Sequence, residues 1–308
     1  MNDGPALSAR IRSLARPLRP RPTGLRPVLR PVPGIKAVLF DIYGTLLVSG
    51  AGDFGTLDAG GRPAAMQAAF RAAGVRLSAA ESQREAGRLD AALRADRGAR
   101  QRAGVAHPEV DIEQIWQTVA SGVWREQGRR ADSLTRSLVR RLAVEYEGRV
   151  NPVWPMPGLE RMLARLRGAG LVLGLVSNAQ FLTPLVLAAF PQTGWSRGVY
   201  DRGACAWSYR LGEAKPSLRL ARAALRGLRG HGIRAEQVLA VGNDMQRDIL
   251  PAARLGCRTA LFAGDARSLR LRADDPACRA LRPDLVMTRL DQLPGALINA
   301  CGGTAGLL

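Results

Sequence analysis

The sequence predicts an α/β protein: a doubly wound parallel sheet whose first strand is followed by an inserted helical module. Three observations predict it. From residue 155 onward, short apolar runs alternate with helix-periodic segments, the pattern of parallel strands joined by crossover helices. Residues from about 62 to 147 carry helical spacing almost alone. Val38-Leu39-Phe40 is an apolar run ending in Asp41, and Gly44 lets the chain turn. A carboxylate thus stands at the carboxyl end of a buried strand, where open α/β sheets bind ligands. Taken alone, Asp41 is equally well an ordinary turn residue after a core strand.

In chain order, residues 1–34 are rich in Arg and Pro, with Arg-Pro-Leu-Arg-Pro-Arg-Pro at 16–22. Proline interrupts helices, so the segment reads as a disordered or polyproline-like tail; a transit peptide or a docking segment is the alternative. Ser49 to Asp53 is Gly-rich and suits a hinge or flap. Helices are expected at 64–73, 79–103, 112–126 and 134–146, then at 159–168, 217–228 and 248–255. Strands are expected at 171–176, 204–209, 237–241, 259–262 and 283–287. The domain plan is a tail at 1–34, an α/β core from 35–48 and 155–300, and a helical module at 49–154.

The chain has 308 residues, 46% of them hydrophobic, enough for a full core. No apolar run approaches the roughly 20 residues that span a bilayer, and Met1 to Pro20 lacks a signal-peptide core. Cys205, Cys257, Cys278 and Cys301 have no CxxC spacing, which argues against a disulfide framework or zinc site and fits a cytoplasmic location. The net charge of +19 raises nucleic acid as a partner. Of 45 basic residues, however, 43 are arginines spread over every segment. A solvated basic surface is the favoured reading, with attraction to small anions. The only lysines are Lys36 and Lys215. A surviving lysine marks a place for a compact point charge rather than a planar fork.

Three more strand ends carry polar groups: Ser177-Asn178 after Val176, Lys215 after the 204–209 strand, and Asn243 to Asp248 after Val241. Asp41 with Thr45, then Ser177, Lys215, and Asp244 with Asp248 stand 136, 38 and 29 residues apart. In that order they resemble the haloacid dehalogenase (HAD) superfamily of aspartate-nucleophile hydrolases, over residues 36 to about 296. The resemblance implies a Rossmann-like core with a helical cap. It also implies Asp41 as nucleophile, Lys215 as its charge partner, and Thr45, Ser177 and Asn178 as substrate contacts. Mg²⁺ would be held by Asp41, the Tyr43 carbonyl, Asp244 and Asp248. Alignment on Gly242 would instead give Asn243 the first metal position; Asp244 is preferred because a carboxylate binds the cation better.

Tyr43 departs from the phosphatase pattern, which has a second aspartate there as acid and base. Asp-x-Tyr-Gly-Thr resembles the metal-independent 2-haloacid dehalogenases, whereas Asp244 and Asp248 resemble the metal-binding phosphatases. The leading expectation is a Mg²⁺-dependent phosphatase acting on a small phosphorylated metabolite. The alternatives are a haloacid dehalogenase, or a non-catalytic protein that binds acidic partners. His107 to Asp111 either faces the site or simply starts a helix. Trp116 and Trp124 read as core, and His231 as exposed.

Overall fold

A computed structural model describes residues 3–51 and 61–298. The elements in chain order are α1 (Gly4–Leu14), β1 (Ala37–Phe40), β2 (Leu47–Ser49), α2 (Arg62–Ala72), α3 (Ala79–Arg102), α4 (Ile112–Glu126), α5 (Arg136–Val150), β3 (Val153–Pro155), α6 (Leu159–Gly168), β4 (Val172–Ser177), α7 (Leu182–Ala189), β5 (Cys205–Trp207), the single-turn α8 (Ser208–Leu211), α9 (Leu218–Arg229), β6 (Val238–Gly242), α10 (Leu250–Arg254), β7 (Arg258–Phe262), α11 (Pro276–Arg279), β8 (Leu285–Met287) and α12 (Leu293–Ile298).

Six strands form one parallel sheet in the order β5-β4-β1-β6-β7-β8. β1 lies in the middle, with Phe40 in register with Leu175 of β4 and Val241 of β6. Side chains alternate across it. Val38 and Phe40 join the apolar cluster that contains α6, α7 and α12. Ala37 and Leu39 join the cluster of Leu220, Ala224 and Leu228 on α9. Both faces are therefore covered, which is the doubly wound architecture the alternation predicts.

The chain leaves and re-enters this body through an antiparallel ribbon, in which Leu47, Val48 and Ser49 of β2 face Pro155, Trp154 and Val153 of β3. Between these strands lie α2 to α5. Asp111 and Thr135 cap the first backbone N–H groups of α4 and α5, and Ser78 and Glu81 form a capping box on α3. Trp116 and Trp124 are fully buried and pack around Phe70 at centroid distances of 6.5 and 6.4 Å, so they are core, as expected. Of the hinge expected at Ser49–Asp53, Ser49 belongs to β2 and Gly50 bonds Pro152; Gly52 and Asp53 lie outside the described residues.

Residues 4–34 correct the expected tail. Leu7 and Ile11 are buried, and α1 packs between α5 and α7. Arg10 makes two hydrogen bonds, of 2.6 and 2.9 Å, to the fully buried Glu145 of α5. Arg12 lies over Trp154 and Phe190. Further on, Val28 pairs with Val286 of β8, and Thr23 donates to the Ala263 carbonyl. Pro5 sits in the first turn of α1, where a missing N–H costs nothing. The later prolines fall in extended chain along the body. Among the described residues no helix is long and apolar enough to cross a membrane.

Candidate active site

Parallel strands put their carboxyl ends at one edge, and β1, β4 and β6 are neighbours there. Asp41, Ser177, Lys215, Asn243 and Asp248 line a single pocket of about 40 Å³ at this edge. The turn after Asp41 is tight. Gly44 has φ +83°, and a Cβ on it would lie 2.4 Å from Cβ of Ser268 and 2.9 Å from Nδ2 of Asn243. Only glycine allows that approach.

Lys215 is buried at the centre. Its Nζ donates to Oδ1 of Asp41 at 2.6 Å, to Oδ1 of Asp248 at 2.5 Å and to the Val176 carbonyl at 3.1 Å. Burial would lower the ammonium's pKa; Asp248 and Asp41 outweigh it and hold the group above its usual range. Asp248 shifts upward, because burial and the charges of Asp41 and Asp244 outweigh Lys215. Ser177 Oγ lies 3.3 Å from Oδ1 of Asp41. Thr45 Oγ1 lies 3.4 Å from Oδ2 of Asp41 and 3.1 Å from Oδ1 of Asn243. Asn178 uses its amide on the Lys215 backbone, accepting from that N–H at 2.7 Å. It positions the lysine and also lines the pocket.

Asp244 lines the same pocket but is also engaged outside it. Its carboxylate takes two hydrogen bonds from Arg272, at 3.1 and 2.6 Å. It also caps the backbone N–H groups of Gln246 and Arg247 at the π-turn Met245–Ile249. Burial would raise its pKa, but Arg272 and these N–H groups hold it below the usual range. Asn243, not Asp244, reaches Thr45 and the Asp41 side of the pocket. Gly242 permits the return of Asp248 over the strand end, since a Cβ there would sit 2.3 Å from the Asp248 side chain.

Tyr43 is buried, and its hydroxyl lies 3.0 Å from Oγ1 of Thr183. Burial pushes the phenol far above its ordinary pKa, with Glu147 and Asp41 adding to the shift. It is no proton donor or base at neutral pH. Missing from the sequence reading are Arg272, Arg247 and Ser268, together with Arg62, Asp90, Arg94, Arg97 and Glu147 on the helical side.

A cleft of about 640 Å³ opens from the pocket, sharing Asn178, Lys215 and Arg247 with it. Arg62, Arg94, Arg97 and His107 line it from the helical side, as do Asp90, Glu109 and Glu147. The 107–111 break serves both expected roles. His107 lines the cleft and its carbonyl accepts from Ala214 N, while Asp111 caps α4. His231 is exposed and pairs with Asp201 at 2.5 Å.

Among the described residues no three His, Cys, Asp or Glu side chains form a metal cluster. The oxygen donors of Asp41, Asp248 and Asn243 nevertheless fit a hard divalent cation. Mg²⁺ is commonly held by only one or two carboxylates together with substrate phosphate. In the buried trio two carboxylates face one ammonium. The Ser268 hydroxyl, lining the same pocket, is buried without a hydrogen-bond partner among the described residues, as expected where a polar occupant is to bind.

A parallel α/β core with an Asp-Ser-Lys-Asp edge defines an aspartate-centred hydrolase architecture. A family model described as haloacid dehalogenase-like hydrolase matches residues 35–256, and the chain belongs to that family. Among solved structures, a 2-haloacid dehalogenase from Pseudomonas syringae pv. tomato is 20% identical. The match covers 86% of this chain and 99% of that one at a TM-score of 0.55, which shows a shared fold. A HAD phosphatase from Thermococcus onnurineus is 17% identical, with 85% and 97% covered and a TM-score of 0.48. A HAD-hydrolase from Bacillus subtilis, described as bound to magnesium, is 17% identical, with 85% and 98% covered and a TM-score of 0.46. None of the curated proteins compared matches the chain.

Proposed function

We propose that the protein is a Mg²⁺-dependent phosphatase of a small phosphorylated metabolite, with Asp41 as nucleophile and residues 49–154 as the cap over a core of 35–48 and 155–300. What supports this reading above all is the cleft. Its volume of about 640 Å³ and its arginines, with Lys215 at the inner end, suit a polar anion larger than a short haloacid.

In this reading Asp41 attacks phosphorus in line with the leaving oxygen. Lys215 pairs with the carboxylate and balances the phosphoryl oxygens, and Ser177 donates a hydrogen bond to one of them. Asp41, Asn243 and Asp248, with the Tyr43 carbonyl, would hold Mg²⁺, which when bound neutralises phosphoryl charge. Water then hydrolyses the aspartyl-phosphate.

A second reading, metal-independent dehalogenation through an aspartyl ester, is favoured by the loss of two carboxylates to Tyr43 and Asn243. Halide leaves without a proton. Purified protein given p-nitrophenyl phosphate and 2-chloropropionate, each with Mg²⁺ or with EDTA, separates the two. Phosphate release that requires Mg²⁺ and is abolished in Asp41→Asn is the expected result. Chloride release untouched by EDTA would replace it with the second reading.

A further inference from the structure

We propose that Glu147, reaching into the cleft from α5, is the general acid and base that the buried Tyr43 cannot be. The inference rests on the reading of Asp41 as a phosphorylated nucleophile. Glu147 lines the cleft that Lys215 and Asn178 close at its inner end. It also lines, together with Tyr43, a small apolar pocket behind that residue. Tyr43 also lines the pocket that holds Asp41, so one ring borders the cavities of both carboxylates. The Glu147 carboxylate accepts no hydrogen bond from the described residues, unlike its neighbour Glu145, which is held by Arg10 and Arg149.

The step balances as follows. The Asp41 oxygen–phosphorus bond forms as the bond from phosphorus to the leaving oxygen breaks. The carboxyl proton of Glu147 passes to that oxygen and the alcohol departs. Water then attacks phosphorus and gives a proton to the Glu147 carboxylate, and the Asp41–phosphorus bond breaks to yield inorganic phosphate. Burial pushes the Glu147 carboxyl up to about 7, against the pull of Arg62, which suits both roles at neutral pH. The charged and titratable groups that line the same cavities are Arg62 of α2, Asp90, Arg94 and Arg97 of α3, His107 and Glu109 before α4, Tyr43, and Lys215 and Arg247, with Tyr146 on its own helix.

The test compares the full-length wild type, Glu147→Gln and Glu147→Asp on p-nitrophenyl phosphate and on 4-nitrobenzyl phosphate, whose alkoxide leaves poorly. Glu147→Gln should lose roughly 10²–10³-fold in kcat/KM on the benzyl ester. On the aryl ester it should show a burst of nitrophenolate close to one per enzyme, then slow turnover, because formation of the phosphoenzyme needs no acid there and its breakdown needs the base. The wild-type fall in kcat/KM for the benzyl ester above a pH of about 7 should vanish in Glu147→Gln and return in Glu147→Asp. Equal losses on both esters without a burst, or no loss on either, would overturn the role of Glu147 while leaving Asp41 standing. Wild-type protein that turns over neither ester, and forms no phosphoenzyme, overturns both.

Discussion

Asn243 presents an amide oxygen where an ionised oxygen would bind a hard cation more tightly. Its Oδ1 is bonded to Thr45 and its Nδ2 to the Ser268 carbonyl, so its orientation is fixed. Asp244, one residue on, spends its charge on Arg272 and on the π-turn. In a titration of activity against Mg²⁺, Asn243→Asp should therefore lower the half-saturating concentration roughly ten-fold. Asp244→Asn keeps the capping oxygen, and should leave that concentration unchanged while lowering the melting temperature. The sequence carries Asp41, Ser177 and Lys215 plainly, because two end apolar runs and one is a lysine among arginines. It does not say which neighbour after Gly242 faces inward. That depends on the turn geometry and on Arg272, and one arginine among 43 carries no signal of its own.

At the scale of elements, α5 has two charged duties on one short stretch. Glu145 points to α1, where Arg10 meets it, with Arg149 of its own helix as second partner, and Glu147 lines the cleft. Glu145 is fully buried, so removing the bidentate Arg10 leaves a buried carboxylate with one cation fewer. Arg10→Met should cost about 3 kcal/mol in denaturant unfolding, and Arg10→Met combined with Glu145→Leu should recover part of that loss by replacing the pair with apolar contact. Helix α1 was hard to read from sequence for a physical reason. Leu7, Ile11 and Leu14 do stand at helical spacing, but prolines from Pro17 onward dominate the composition of the segment. Their effect is confined to the extended stretch beyond the helix. Helix α7 was missed for the opposite reason: Leu182, Leu185, Val186 and Leu187 make it apolar on most sides, and periodicity cannot mark a helix without a polar face.

Across the whole molecule, a single apolar cluster runs from the sheet through α7 and β3 into α2, α4 and α5. Helix α1 closes it from outside, touching α5 on the helical side and α7 on the sheet side. The alternation of strands and helices predicts each body separately. It holds no information on this junction, because the contacts join residues more than a hundred positions apart, as Arg10 and Glu145 do. Helix α1 buries Leu7 and Ile11 and holds the buried Glu145 through Arg10. Deleting residues 1–16 should therefore destabilise the protein and lower its melting temperature, by about 2–4 °C for each kcal/mol lost. The loss should appear in the helical module as well, as faster amide exchange in α5. A truncated protein with unchanged melting temperature and unchanged α5 exchange would mean that the segment merely rests on the surface, and that the two bodies are joined by the β2–β3 ribbon and the apolar cluster alone.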